Sequence, residues 1–302
     1  MRCNPLRMLP FALSLFLSTA LQAAPDAATA APDDRKLRIC AAADELPFSH
    51  RDGSGFENKL AVVLAEAMGR TPEFVWFDKA SIYMVRDQLD KRLCDVIIGV
   101  DSGDPRMLTT QPYYRSGYVF IQKTDSPLKL DGWDSPDISK VSKIGFIAGT
   151  PAETMVRKVG LYEGSFNYAQ SLLNYKSKRN QYLRVSPQRM VAEVANGTAD
   201  VAVHFAPEVA RYVKENDKLQ MTLIPDNNVR EDGEKVPHQF DQSMGVRLDD
   251  KELLAQLHQA IEKAKPALDK ILAGEGIPLV SAPAKGSSRG ASIETIQGPE
   301  FE

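Results

Sequence analysis

Metal and nucleophile chemistry have little to draw on in this chain. It holds four histidines (His50, His204, His238, His258) and three cysteines, and none falls in an H-x-x-x-H or C-x-x-C spacing, so no metal-ligand pattern is present. A G-x-S-x-G elbow, a P-loop and a G-x-G-x-x-G fingerprint are all missing, which removes the common hydrolase, phosphate and dinucleotide signatures. Basic charge is not in excess either: 37 Lys and Arg stand against 40 Asp and Glu, a net −3. That balance gives no hold on a phosphate backbone, so nucleic acid is not an expected partner. No apolar run reaches the ~20 residues of a spanning helix, so no membrane insertion is expected. Gly and Pro, 19 each in 302 residues, are near average usage, which excludes a collagen-like or wholly disordered chain. That length accommodates about two domains of ~150 residues.

What is present begins with an address. Arg2 and Arg7 precede an apolar run from Leu9 to Leu21, small residues follow through Ala23 and Ala24, and no acid occurs before Asp26. A basic start, a short apolar stretch and an alanine-rich end describe a secretory signal peptide over residues 1–23. Residues 24–36 read as a disordered leader, and 281–302 ("SAPAKGSSRGASIETIQGPEFE") as a flexible tail. The mature protein is therefore expected outside the cytoplasm and soluble. Without Arg2 and Arg7 it carries 35 basic and 40 acidic residues, a charge of about −5. It also keeps two cysteines, Cys40 and Cys94, which in an oxidising compartment are either a disulfide or two buried thiols. Pairing requires Cα atoms within roughly 7 Å.

The body alternates strand and helix patterns twice. Leu37–Ala43 is a strand, Phe56–Met68 a helix ended by Gly69, Glu73–Phe77 a strand, Val85–Leu93 amphipathic, and Asp95–Val100 a strand. Tyr118–Lys123 is a fourth strand. The pattern restarts with a strand over Lys143–Ala148, a Gly149-Thr150-Pro151 turn and a helix over Ala152–Val159. A tyrosine- and asparagine-rich stretch (Tyr162–Tyr182) intervenes. Ser186–Asn196 is a helix with Ser186 as N-cap and Pro187 in its first turn. Ala199–Val203, Met221–Ile224 and Gln242–Arg247 are strands, Pro207–Asn216 a helix, and Lys251–Leu272 a long helix that Pro266 is placed to kink. The N-G-T at Asn196 reads as a turn. Strand–helix alternation of this kind implies an α/β fold with largely parallel sheets.

The stretches "GFENKLAVVLAEAMG", "CDVIIGV", "TTQPYYRSGYVFIQK", "KIGFIAGTPAET" and "VAEVANGTADVAVHFAPEVARYV" resemble, in order, the segments of periplasmic solute-binding proteins of the amino-acid-binding type. The resemblance implies a two-lobed type II fold, each lobe a mostly parallel sheet flanked by helices, joined by two crossover strands. It places lobe 1 at 37–123 plus 236–280 and lobe 2 at 124–235, with a ligand cleft between them that closes by hinge motion.

Cleft candidates follow from that placement. Gly149, Thr150 and Glu153 sit at a strand-to-helix turn where N–H groups and the helix dipole favour an anion; the alternative is that Thr150 caps its own helix. Arg106 in "SGDPRML" stands where relatives carry an arginine that clamps the ligand carboxylate. It lies a few residues nearer the Pro-Tyr-Tyr turn than usual, so a solvated surface arginine is the other reading. In relatives an aspartate after the strand "ADVAV" holds the ligand ammonium; here that position is Phe205, preceded by His204. Phenylalanine accepts no charge-assisted hydrogen bond, so an amino-acid zwitterion is not the expected ligand. Asp44, Glu45 and Phe48 either meet a cationic ligand, or cap a turn and pack against the hinge. Tyr113 and Tyr114 either line the cleft mouth or are packing.

The loop "LPFS", the two cysteines and the run "TTQPYYRS" bring the chain nearer still to binding-protein-like accessory proteins of bacterial methanol oxidation. A neighbouring group serves lanthanide-dependent methanol dehydrogenase; "FVWFDKASIYMVRDQL" lacks the paired arginines usual there. The resemblance implies a periplasmic, non-enzymatic factor whose partners are methanol dehydrogenase subunits, with a small cleft ligand possible. It needs no cofactor of its own, since the chemistry belongs to the dehydrogenase and its pyrroloquinoline quinone. Two other readings stand beside it. One is a transport binding protein for a small carboxylate or another solute lacking an α-ammonium group. The other is a periplasmic dehydratase-like enzyme using Glu45, Glu153 or His204.

Overall fold

A computed structural model describes residues 35–174 and 184–281. The expected signal peptide, nearly all of the leader, the end of the tyrosine-rich stretch and all but the first residue of the tail lie outside the described residues. The first apolar run forms β1 (Lys36–Ala42), and a small hairpin follows, β2 (Asp44–Glu45) against β3 (Ser49–His50). Helix α1 spans Phe56–Ala67. Phe56, Leu60, Ala61, Leu64 and Ala65 recur along one side of it and are fully buried, as an amphipathic helix laid on a sheet requires. Gly69, at φ +71°, supplies the left-handed turn that ends it.

β4 (Thr71–Phe77) and β5 (Val96–Asp101) pair with β1 on either side, both parallel. The amphipathic stretch at Val85–Leu93 is shorter as a helix than its pattern suggests, a single π-turn over Val85–Leu89. Arg92 adopts φ +57°, and the Arg38 guanidinium draws the carbonyls of Arg92 and Leu93 outward (2.8 and 3.3 Å). These carbonyls then serve Arg38 at the turn.

β6 (Leu108–Thr109) leads into β7 (Tyr114–Lys123), which begins four residues before the expected start at Tyr118. The reason is that β7 serves both halves of the molecule. Its first part pairs with the returning strand and its second part with strands of the second half.

In that second half β8 covers only Ile144–Gly145, where Lys143–Ala148 was expected, because its parallel neighbour meets it at those two positions alone. Helix α2 (Pro151–Lys158) follows. The aromatic stretch then supplies an unforeseen helix, α3 (Tyr162–Ser171), with Ser165 and Ala169 buried and the Tyr162 and Phe166 rings 5.4 Å apart one turn from each other. β9 (Leu173–Asn174) pairs with β10 (Arg184–Val185). α4 (Pro187–Ala195) starts as its sequence dictates: Ser186 Oγ accepts the Arg189 N–H at 3.3 Å. The Asn-Gly-Thr segment is the turn that ends α4, with Thr198 N–H donating to Asn196 Oδ1 at 2.9 Å.

β11 (Val201–Phe205), α5 (Ala206–Lys214) and β12 (Leu219–Leu223) complete this half. β13 (Gln239–Val246) returns, and α6 (Lys251–Gly274) closes the described fold, unbroken through Pro266. The resulting sheet runs β4-β1-β5-β13-β7-β11-β8, with β12 also on β7 and β6 on β13. β7 and β13 carry the chain between halves, so the molecule has two α/β lobes joined by two crossovers. Helices α1 and α6 bury one core against the first part of the sheet. Two further cores, around Phe120 with Trp133 and around Val119 with Met190, lie on opposite faces of the second.

Candidate functional site

In open α/β sheets, ligands meet the carboxyl ends of the parallel strands, because there the loops diverge. In the first half those ends, at Ala42 of β1 and Asp101 of β5, border a half-open cavity of about 310 Å³. Glu45, Phe48, Glu57, Asp101, Asp104 and Arg106 are among its walls. Cys40 lies on its floor and is disulfide-bonded to Cys94, with Cα atoms 5.3 Å apart. That bond pins β1 to the turn before β5 and so fixes the spacing of the cavity's two central strands.

The sequence candidates divide between this cavity and four other places. Glu45 reaches the cavity and accepts the Ser81 hydroxyl at 2.6 Å. Phe48 lines it while its ring packs 5.2 Å from that of Phe56 of α1, rather than against the crossovers. Asp44 is exposed in the hairpin opposite His50. Arg106 also lines the cavity, but its guanidinium grips Asp104 with Nε–Oδ1 at 3.0 Å and Nη2–Oδ2 at 2.6 Å. Hydrogen bonds from Arg106 hold the Asp104 carboxyl below the usual range. Tyr113 and Tyr114 are buried in the first core, rings 4.9 Å apart edge to face, and do not line a mouth.

At the start of α2 the Thr150 hydroxyl donates to Ile147 O (2.7 Å) and makes no cap bond to its helix. The N–H of Gly149, just before the cap position, is taken by a side chain of the protein itself: Gly149 N donates to Glu153 Oε2 at 2.7 Å, and Arg157 holds Oε1 at 2.7 Å. Partial burial pushes the Glu153 carboxyl up, but these bonds outweigh it and the pKa lies below the ordinary value.

His204 is 2% exposed and neither ring nitrogen has a hydrogen-bond partner; its nearest carboxylate oxygen, on Glu208, is 3.9 Å away. Phe205 lies among aromatics of the crossovers, 5.8 Å from Tyr118 and 6.2 Å from Phe240.

Two residues stand out that the sequence did not single out. Glu57, in the first turn of α1, projects to the cavity, and burial, then the neighbouring Glu45, raise its pKa well above the carboxylate norm. Its position was legible: it shares a helix stripe with Ala61 and Ala65, both fully buried, where a charge is out of place. His238, within the polar stretch "DNNVREDGEKVPHQ", is fully buried at the crossovers, where it accepts from Trp133 Nε1 at 3.0 Å. No local signal marks it, because its indole partner lies 105 residues away along the chain.

Among the described residues no group of three His, Cys, Asp or Glu side chains converges for a metal, and no helix is long and apolar enough to cross a membrane. No family model matches the chain. It is 50% identical over 255 residues to the protein MoxJ of Methylorubrum extorquens, covering 84% of this chain and 85% of that one. The crystal structure of MxaJ from Methlophaga aminisulfidivorans MPT is 48% identical, covers 81% of this chain and 100% of its own, and superimposes with a TM-score of 0.77. The periplasmic binding protein XoxJ from Methylobacterium extorquens AM1 is 25% identical over 82% of this chain and 100% of its own, with a TM-score of 0.60.

Proposed function

This chain belongs to the MoxJ family, whose members share the periplasmic binding-protein fold, and from that premise we propose that it is a periplasmic accessory factor of methanol oxidation. It acts by contacting a pyrroloquinoline-quinone methanol dehydrogenase or by helping it mature. The greater identity to MxaJ than to XoxJ, 48% against 25%, favours the MxaJ-type system, in keeping with the missing paired arginines.

One observation carries the choice of accessory factor over solute carrier. The positions at which relatives hold an amino acid are committed within the protein itself. The Gly149 N–H ahead of α2 is taken by Glu153, Arg106 is held by Asp104, and Phe205 stands where an ammonium anchor would be. A ligand carboxylate would have to displace charge-assisted bonds worth about 1.5–3 kcal/mol each. The acid–base groups considered for an enzyme are likewise apart in role: Glu45 is in the cavity, Glu153 is tied to Arg157, and His204 is buried.

The expected result is co-purification of the protein with a methanol dehydrogenase subunit, and loss of dehydrogenase assembly or activity in cells lacking it. Fully active, cofactor-loaded dehydrogenase in its absence refutes the assignment. A large thermal stabilisation by one small carboxylate would instead favour the carrier.

A further inference from the structure

β4 is the outermost strand of the sheet. All seven of its residues are in register with β1, and among the described residues no strand lies on its other side. The hydrogen bonds at its two ends fix which way each main-chain group points. Thr71 N donates to Arg35 O at 2.8 Å, and Phe77 O accepts from Ala43 N at 2.9 Å, both toward β1. These groups alternate in direction along a strand, so Thr71, Glu73, Val75 and Phe77 face β1 while Pro72, Phe74 and Trp76 face outward. Gln88 agrees with that sense, since its side chain donates Nε2–H to Trp76 O at 3.1 Å. The outer edge then presents the Pro72 carbonyl, both main-chain groups of Phe74 and the Trp76 N–H, none with a hydrogen-bond partner among the described residues. An open edge of this length is a template for another strand.

We propose that β4 pairs antiparallel with the β4 of a second copy of this chain, about a two-fold axis at Phe74, so that one sheet runs through both molecules. The edge is complementary to itself in that register. Residues opposite each other in a hydrogen-bonded antiparallel pair exchange both bonds, so the N–H and C=O of Phe74 meet those of the partner's Phe74. The Trp76 N–H then meets the carbonyl of the partner's Pro72. The remaining position sets the Pro72 nitrogen against the partner's Trp76 O. Proline has no N–H to give, and Gln88 already supplies that oxygen from within its own chain. Moving the axis to Glu73 leaves the Phe74 carbonyl facing a proline nitrogen. Moving it to Val75 sends the Phe74 N–H to the oxygen that Gln88 holds.

The side chains fit the same register. Opposed residues of an antiparallel pair share a face and interact. On one face Phe74 comes beside the partner's Phe74, and Trp76 beside the partner's Pro72. All three residues are only half-buried in the single molecule, and the Phe74 and Trp76 rings are already stacked, with centroids 5.2 Å apart and planes 17° from parallel. Pairing joins them into a continuous apolar strip across the axis. On the other face Glu73 comes beside the partner's Val75. The two Glu73 carboxylates are diagonal to each other rather than opposed, and each has Lys36 of its own chain at 2.8 Å. A two-fold contact of this kind uses the same edge of both copies and therefore closes at a dimer.

The inference stands on the strand edge and does not depend on the dehydrogenase reading. Its test is sedimentation equilibrium of the mature protein from micromolar to millimolar concentration, with amide hydrogen exchange followed over the same range. The average mass should rise from that of one chain toward that of two. Exchange should slow with concentration at the Phe74 and Trp76 amides, which point outward, and stay unchanged at Glu73 and Val75, which are bonded to β1. Trp76→Pro, which removes an N–H that β1 does not use, should abolish the dimer. Trp76→Ala keeps the main chain and should weaken the dimer about tenfold, because a cross-strand side-chain pair is lost on each side of the axis; it also guards against a folding defect in the proline variant. A single-chain mass throughout overturns the proposal, and so does a dimer in which the Phe74 and Trp76 amides exchange as fast as in the monomer. Protection of those two amides only on adding methanol dehydrogenase gives the edge to a strand of that enzyme and overturns pairing with a second copy. Absence of any dehydrogenase complex refutes the functional assignment and leaves the mass and exchange results intact.

Discussion

His238 has both ring nitrogens engaged: Nε2 accepts from Trp133 Nε1 at 3.0 Å, and Nδ1 faces Val236 O at 2.9 Å. The neutral tautomer with its proton on Nδ1 satisfies both, whereas a proton on Nε2 would confront the indole N–H. Burial lowers the pKa below 6.5 despite the Val236 carbonyl and Asp226. The unfolded chain therefore takes up a proton first, and stability is lost as pH falls from about 6.5 toward the native value. Glu57 acts in the opposite sense, since a raised native pKa costs stability as pH rises above the ordinary carboxylate value. The contribution of His238 is thus read as a difference: His238→Asn should remove a downward slope in urea midpoint between pH 6.5 and 5, and cost about 1–3 kcal/mol at pH 7. Retention of the full slope in the variant refutes the assignment. Gly99→Ala tests the seat of Glu57. Positive φ alone should cost about 1–3 kcal/mol, and the close approach to Glu57 adds to it. Combined with Glu57→Ala, the loss should be smaller than the sum of the single losses, because shortening Glu57 removes the overlap that the new Cβ creates. Additive losses would mean that backbone strain alone is responsible.

At the scale of elements, α5 is the piece that touches both halves. Ala206, Val209 and Val213 enter the core of the second half, whereas Ala210 is part of the first. From the same helix Arg211 Nε donates to Glu275 Oε2 at 2.6 Å and Nη2 to Ser54 O at 3.0 Å, while Lys59 holds the other oxygen of Glu275 at 3.1 Å. Burial raises the Glu275 pKa, but the two cations outweigh it and hold it below the ordinary value. This contribution to stability is present above about pH 4.5 and is lost as pH falls through the native value. Arg211→Ala should cost roughly 1–3 kcal/mol, because a nearly buried carboxylate then keeps one partner instead of two. The chain's two tryptophans report each side: Trp76 lies in β4 and Trp133 in the second core. Single-tryptophan proteins should unfold in urea at one midpoint in the native background and at two separated midpoints with Arg211→Ala. Coincident midpoints in the variant would show that α5 does not couple the halves. Most of these elements were legible as period and punctuation. The helix α1 follows from its apolar stripe and Gly69, and α4 from Ser186 and Pro187. Helix α3 was hidden, since its polar and aromatic residues carry no clear stripe and become helical through contacts with β8 and α2. The truncated helix after Val85 was hidden for a similar reason, with Arg38 drawing its last carbonyls away.

For the whole molecule, the disulfide between Cys40 and Cys94 closes a loop with a sequence separation of 54. Reduction should lower stability by roughly 2–4 kcal/mol. The loop lies wholly in the first half, so with coupling weakened by Arg211→Ala, Trp76 should report the loss before Trp133. Equal shifts at both tryptophans in that background would place the effect elsewhere. A shared strand has a similar global consequence. Because β7 pairs with β13 at one end and with β11 and β12 at the other, any change in one half is transmitted along a continuous backbone ladder.

The sequence by itself determined the alternation of elements, the two-lobed α/β class and the family, because these are written in local period, in turn residues and in long collinear similarity. It also named the two cysteines that bond. Tertiary structure alone decided which charges are spent and which are not. Arg106 and Glu153 look identical in sequence whether free for a ligand or held by Asp104 and by Gly149 with Arg157. The stripe of α1 marks Glu57 as an acid on the inner side, but what its carboxyl meets is settled only when α1 is laid against β5 and Gly99 opens the space beneath it. The free energy of a charged group depends on burial and on partners distant along the chain, and no local pattern encodes either.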